Sequence, residues 1–269
     1  MLLDLDWEDP KEAARRAGKL FKLMKRVDLR QGDACELYHA AMRLATILNC
    51  TRPRLGIQVL QWAWGLDCDS KSEALYRYHL GGCCLYMRGK ERQAAEELCR
   101  AVELCDPEDQ WLPLLSDDAA LACDKIGDYE RAVQYRREVV EMMQDDTSYE
   151  GRTRVQLARI AIAESYYDMR RDEDAMAILE EVMKLDNLSP GVRPRAHSVR
   201  AAIHAGRGEY AEAAKEYRRG IEAAETDIER RRVSPHLMDR DRDVSKNLRR
   251  FKKDLARLLR RCERRLSRE

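Results

Sequence analysis

The sequence predicts an all-α protein, an α-solenoid built from stacked antiparallel helix hairpins. Of the 269 residues, 37 % are charged and 6 % are aromatic, and there are only 13 Gly and 7 Pro. This composition favours helices. The β-branched and aromatic runs with frequent turns that an all-β protein requires are missing. A short pattern also recurs about every 40 residues between helical segments, and such repetition is typical of solenoids.

The recurring pattern marks the turn inside each predicted hairpin. Its copies span residues 89–94, 127–132, 170–175 and 208–213, and their final Ala residues are 38, 43 and 38 positions apart. Three copies contain a Gly, which ends a helix because it adopts positive φ without steric cost. An acidic residue then favours the start of the next helix. The Ala fits where two helices cross closely, and neighbouring hairpins stack to bury their remaining apolar surface.

The predicted elements follow in order along the chain. A lone helix spans residues 10–27, a weak copy pairs 32–49 with 54–66, and the clearest copy spans 75–108. Three further copies begin near residues 113, 156 and 194, so we expect about five hairpins with one helix on each side. The expected divisions are an N-terminal helix (1–32), a repeat domain (33–225), and a basic connector with an amphipathic C-terminal helix (226–269).

The copies resemble the tetratricopeptide repeat family over roughly residues 33–225. The clearest copy carries Tyr78, Gly81, Gly82, Leu85, Gly89, Ala94, Leu98, Ala101, Asp106 and Pro107. Departures include Arg170 in place of a turn Gly, and His197 and His204 in place of apolar residues. The resemblance implies hairpins whose first helices line a concave surface. It also implies protein binding, although this family has many different partners.

The candidate binding residues lie on the predicted first helices. They combine aromatic and Met side chains, which supply adaptable contact area, with carboxylates, which favour a ligand bearing Lys or Arg. They are Tyr76, His79, Tyr86, Met87, Asp117, Leu121, Asp124, Glu164, Tyr167 and Asp168. We therefore predict a protein partner or a basic peptide. The alternative is that these residues form only a solvated, charged surface.

The C-terminal region differs in charge from the rest of the chain. Residues 226–269 contain 16 Lys and Arg against 8 Asp and Glu, a net charge of +8, which leaves −7 for the first 225 residues. The helix could cap the last repeat, occupy the acidic groove, bind a partner protein, or contact nucleic acid or an anionic membrane. Nucleic acid is the weaker alternative because acids are interspersed. An alternative function is that of a peptide-gated sensor, in which a peptide bound in the acidic groove would control this basic C-terminal helix. The candidate contacts are Arg249, Arg250, Lys252, Lys253, Arg260 and Arg261.

The motifs of enzymes are not found in the sequence, so we expect a non-enzymatic protein without cofactor, metal or small-molecule substrate. His79 lies one turn before Cys83, but this pair is better explained by helix packing than by nucleophilic catalysis. The nine cysteines lack the paired spacing of a zinc site and lie in helical patterns, which suggests a reducing compartment. Because no apolar run reaches the length of a membrane span and the N-terminus does not resemble a signal peptide, we expect a cytoplasmic protein. The oligomeric state is left open.

Overall fold

The computed structural model describes residues 10–27, 31–233 and 238–267, and within these ranges it contains twelve helices and no strand. The helices are α1 (Pro10–Met24), α2 (Gln31–Leu48), α3 (Pro53–Trp64), α4 (Glu73–Leu85), α5 (Glu91–Leu104), α6 (Leu112–Ile126), α7 (Tyr129–Met143), α8 (Tyr149–Asp168), α9 (Asp172–Met183), α10 (Val192–Gly206), α11 (Tyr210–Val233) and α12 (Met238–Leu266). Helices α2 to α11 form five successive hairpins between α1 and α12. The predicted all-α repeat fold is therefore confirmed.

The chain divides into two compact units, residues 1–135 and 136–269, and the division falls within α7. In unit 1, the first helices of three hairpins, α2, α4 and α6, lie side by side. In unit 2, α8 lies beside α10, and α12 packs along α11. The divisions expected at residues 32 and 225 stay predictions. Helix α11 continues to Val233, and the expected proline break at 234–235 lies outside the described residues.

The turn between the two helices of a hairpin has the predicted conformation. Gly89, Gly127 and Gly208 have φ values of 80°, 80° and 81°. Arg170 occupies the same place in the third copy and also has a positive φ, 61°. The amide of the next residue, Arg171, donates to the carbonyl of Tyr166 at 2.8 Å, which closes the last turn of the helix. The repeat geometry thus holds Arg170 in a conformation that usually requires Gly.

Helices of unit 1 approach one another closely at small residues. A β-carbon on Gly81 of α4 would lie 2.6 Å from Leu98 Cγ of α5. A β-carbon on Gly56 of α3 would lie 2.7 Å from Cys83 Sγ. The pattern residues Ala94 and Ala132 are fully buried. Larger side chains at these positions would separate the helices, which explains why the repeats use Gly and Ala there.

Unit 2 contains a buried ionic cluster. Glu216 of α11 is 4 % exposed, and its carboxylate accepts a hydrogen bond from His197 Nδ1 of α10 at 2.7 Å. Arg219 donates to the other carboxylate oxygen at 2.7 Å, and Arg200 Nε lies 3.7 Å away. His197 takes the place of an apolar residue in the fourth repeat, and its hydrogen bond to the buried Glu216 satisfies its polar ring.

Helix α12 covers the surface of α11 through one apolar stripe. Leu248, Leu255 and Cys262 recur every seven residues and are buried. Lys252 and Glu225 form an ion pair of 2.6 Å at the edge of this contact. Of the four interpretations of the C-terminal helix, the packing in the structure is that of a capping helix.

Candidate partner-binding surface

Helix α6 presents three of the predicted residues on one side. Asp117, Leu121 and Asp124 are four and three positions apart, a spacing that places them on the same helix face. The Leu121 side chain is 40 % exposed, and both aspartates are half-buried. A Pro in the first turn and the positive φ of Gly127 define the two ends of the helix. The predicted mixture of apolar and acidic side chains is thus present on α6.

The C-terminal end of α4 supplies the next two predicted residues. Tyr86 follows the last residue of α4, and its ring is 57 % exposed. Desolvation, together with the nearby charge of Asp118 on α6, raises the pKa of the Tyr86 phenol. Met87 follows in the turn and is half-buried. Since α4 and α6 are neighbours, we call the surface formed by Tyr86, Met87, Asp117, Leu121 and Asp124 the α4–α6 face.

Tyr76 and His79 lie where α4 meets its other neighbours. The Tyr76 ring packs on Trp64 of α3 with ring centroids 4.6 Å apart. The His79 Nδ1 atom lies 3.4 Å from the Thr46 hydroxyl of α2. Burial lowers the pKa of His79 to about 4, so the ring is neutral at pH 7. Both residues contribute to packing within unit 1, and their contact with a ligand stays a prediction.

The remaining predicted residues lie on α8 in unit 2. Glu164 accepts two hydrogen bonds from Arg195 of α10, one of them 2.7 Å long from Arg195 Nε. This bidentate pair neutralises the carboxylate locally. Tyr167 is half-buried near Gly206 of α10, and Asp168 is exposed. The α8 surface is therefore less acidic than the sequence suggested.

The His79–Cys83 pair, which the sequence attributed to helix packing, has the wrong electrostatics for a nucleophile. Cys83 is fully buried, and this burial raises the pKa of its thiol to about 12. A nucleophilic cysteine requires a lowered thiol pKa. In the described ranges there is no group of three or more metal-ligating side chains and no helix that could span a membrane.

The predicted contacts of the C-terminal helix lie on the outer side of α12. Arg249, Arg250, Lys253, Arg260 and Arg261 are exposed, whereas Lys252 is half-buried in its ion pair with Glu225. The structure thus separates an apolar side of α12, which packs on α11, from a strongly basic side.

Two residues that shape these surfaces are missed by the sequence pattern. Trp64, which packs on Tyr76, could have been noticed because Trp62 and Trp64 cannot both face the core of one helix. Arg195, which pairs with Glu164, has no signal in its own repeat because its partner lies 31 residues away.

The fold is that of a known class of helical-repeat proteins. No protein family and no curated protein matches the sequence. Among solved structures, the chain is similar to a tetratricopeptide repeat protein from Parabacteroides merdae. The TM-score is 0.50 with 13 % identity, covering 91 % of this chain and 78 % of that one. It is also similar to TPR-like repeats of a kinesin light chain from Podospora anserina, with a TM-score of 0.49, 18 % identity, and coverage of 81 % and 98 %. The chain has a tetratricopeptide-type fold.

Proposed function

We propose that this chain is a non-enzymatic protein-interaction module, an adaptor or regulatory subunit, that binds a basic segment of a partner protein on the α4–α6 face. The observation that carries the proposal is the exposed Leu121 between Asp117 and Asp124 on α6, with the exposed Tyr86 of the adjacent α4 lying near Asp118 of the same helix. The tetratricopeptide-type fold supports protein binding in general.

The chemistry of the α4–α6 face selects the partner. Tyr86 and Leu121 offer apolar contact area, and a Tyr side chain loses little conformational entropy on binding. The aspartates are half-buried, so charges close to them are screened less than at an open surface. A peptide with Lys or Arg next to an apolar residue complements both features. Electrostatic attraction would speed its association and orient it.

The cysteines and the candidate catalytic pair support the same proposal. All nine cysteines are free thiols, which agrees with a role in a reducing compartment such as the cytoplasm. The raised thiol pKa of Cys83 supports a packing role rather than catalysis. Binding rather than chemistry is therefore the function that we assign to the chain.

The test is affinity capture from the native lysate with the full chain and two charge-reversed variants. Asp117→Lys/Asp124→Lys reverses the α4–α6 face. The matched control Glu96→Lys/Glu103→Lys has the same seven-residue spacing on α5, where both acids are exposed. We expect the first variant to lose the partner and the control to retain it, as read by mass spectrometry. Equal recovery by both variants would refute the assignment.

A second candidate function rests on α12. Its exposed basic side, which includes Arg249, Arg250, Arg260 and Arg261, fits the phosphate backbone of a nucleic acid. This function predicts affinity that falls steeply with salt and that is lost in Arg249→Glu/Arg250→Glu. Failure to bind single- or double-stranded nucleic acid at low salt would eliminate it.

A further inference from the structure

We propose that the cleft between α1 and α3 in unit 1 binds a small ligand that carries two or more phosphate groups. The cleft has a volume of about 440 Å³ and is separate from the α4–α6 face. Five cationic side chains line it: Arg15, Lys19, Lys22, Lys25 and Arg52.

The cations converge from two helices. Arg15, Lys19, Lys22 and Lys25 are spaced by four, three and three residues, so they lie along one face of α1. The opposite face of α1 is apolar and packs into the core of unit 1. Within the described ranges, no carboxylate lines the cleft. Glu12 lies one turn before Arg15 and pairs with it through hydrogen bonds of 2.6 and 2.7 Å. The other lining cations are Lys19, Lys22 and Lys25, which are exposed along α1, and Arg52, which lines the same cleft from α3.

Helix α3 adds positive potential from the other side. Arg52 is its N-cap residue, and no side chain caps the first turn, which begins with Pro53. The N-terminus of a helix carries a partial positive charge. Arg52 and Leu55 of this first turn both line the cleft, so the helix terminus and the Arg52 guanidinium act on the same space.

The cleft also has an apolar floor and a gap at one residue. Phe21 is 6 % exposed, and Lys25 Nζ lies 5.1 Å from the centre of its ring. A β-carbon on Gly18 would lie 3.4 Å from Leu55 Cδ2 and 3.8 Å from an Arg52 guanidinium nitrogen. Gly18 therefore keeps the floor of the cleft open, and a larger side chain there would fill it without changing any charge.

The ligand class follows from charge and size. Like charges that line one cleft repel one another, and an anion bound among them removes this repulsion. Cations on both walls suit several phosphate groups better than a single one. The volume suits a compact polyanion, such as inorganic tripolyphosphate or the phosphorylated headgroup of a lipid.

The test measures binding of inorganic tripolyphosphate to the full chain by calorimetry at low and physiological salt. We expect Lys19→Glu/Lys22→Glu to weaken binding at least about tenfold, since two attractive charges become repulsive. Gly18→Leu should weaken it by a similar factor while thermal stability is kept or raised, because Leu favours a helix more than Gly does. The control Arg92→Glu/Arg100→Glu, which reverses two exposed cations on α5, should bind as the unaltered chain does.

A second arm distinguishes the two sources of phosphate. Vesicles of neutral lipid with and without a phosphoinositide are sedimented with the same variants. Binding of tripolyphosphate alone assigns a soluble ligand, and binding of both probes, weakened by the same substitutions, assigns a headgroup. The proposal is overturned if neither probe binds, or if Lys19→Glu/Lys22→Glu and Gly18→Leu bind both probes as well as the α5 control does. Asp117→Lys/Asp124→Lys should bind tripolyphosphate normally, so the outcome is independent of the partner-binding proposal.

Discussion

The two units use different means to hold their helices together. Unit 1 brings helices into close contact at Gly56 and Gly81, where no β-carbon fits. Unit 2 instead buries ionised and polar groups, among them Glu216, His197 and Arg136. Packing is insensitive to pH, whereas a buried carboxylate must stay ionised to keep its partners. Unit 2 also has a close contact, at Gly220 against Leu255 of α12, but the described residues of unit 2 add a buried ionic cluster to it.

The largest effect is expected at the buried acid of unit 2. Glu216→Gln would leave Arg200 and Arg219 without their carboxylate partner, so the free energy of unfolding should fall by about 3 kcal/mol. The control Glu222→Gln, exposed on the same helix, should change it by less than about 0.5 kcal/mol. Urea unfolding followed by far-ultraviolet circular dichroism measures both.

The same residue sets the acid limit of unit 2. Burial raises the pKa of Glu216, but the hydrogen bond from His197 and the charge of Arg200 outweigh it and lower the pKa to about 2. This group therefore stabilises the fold fully above its ordinary pKa of 4.5, and the contribution is lost as pH falls towards 2. Glu216→Gln should abolish this dependence. An unchanged acid transition in the variant would contradict the electrostatic account of unit 2.

A steric test of unit 1 compares two adjacent glycines of α4. Gly81→Ala should destabilise the chain by about 2 kcal/mol, because its β-carbon would meet Leu98 at 2.6 Å. Gly82→Ala would meet only Asn49 Nδ2 at 3.7 Å, so it should stabilise the helix by about 0.5–1 kcal/mol. The tryptophans that the structure describes, Trp62, Trp64 and Trp111, lie in unit 1, and the sequence has no Trp after residue 111, so tryptophan fluorescence does not report on unit 2. Equal effects of the two substitutions would exclude the close approach.

A smaller pH effect is expected in unit 1. Burial lowers the pKa of His79 from its ordinary 6.5 to about 4, so between these values the unfolded state binds more protons. The contribution of His79 to the free energy of unfolding is complete above pH 6.5 and is lost as the pH falls through 4. Because His79 is half-buried, we expect the free energy of unfolding to change by about 1 kcal/mol over this range, which is less than the whole pKa shift would give. His79→Leu should make the free energy of unfolding, followed by fluorescence, depend less on pH between 6.5 and 4. A stronger pH dependence in this variant would contradict the prediction.

The smallest predicted effect concerns the turn of unit 2 that lacks Gly. Arg170→Gly should raise the free energy of unfolding by about 0.5–1 kcal/mol, because it removes the strain of a positive φ. Met169→Gly, one residue earlier at a φ of −77°, should lower it instead. Thermal unfolding distinguishes the two, and destabilisation by Arg170→Gly would show that the Arg170 side chain outweighs the strain.

The sequence predicts the hairpins well because their determinants are local. Helical periodicity, the Gly turns and the phase of the repeat located even the turn at Arg170. The binding surfaces are harder to predict, because the packing of Tyr76 on Trp64 and the pairing of Glu164 with Arg195 join residues of different hairpins. The position of His197 indicated a buried polar group, but its partner Glu216 becomes evident only when α10 and α11 are packed.

The central claim is that the α4–α6 face holds the partner, and amide hydrogen exchange tests it most directly. Exchange is measured for the full chain alone and with the captured partner. We predict that binding slows exchange in α6 and at residues 85–88, while α5 is unchanged. Slower exchange confined to α5 or α12, with α6 unaffected, would contradict the assignment.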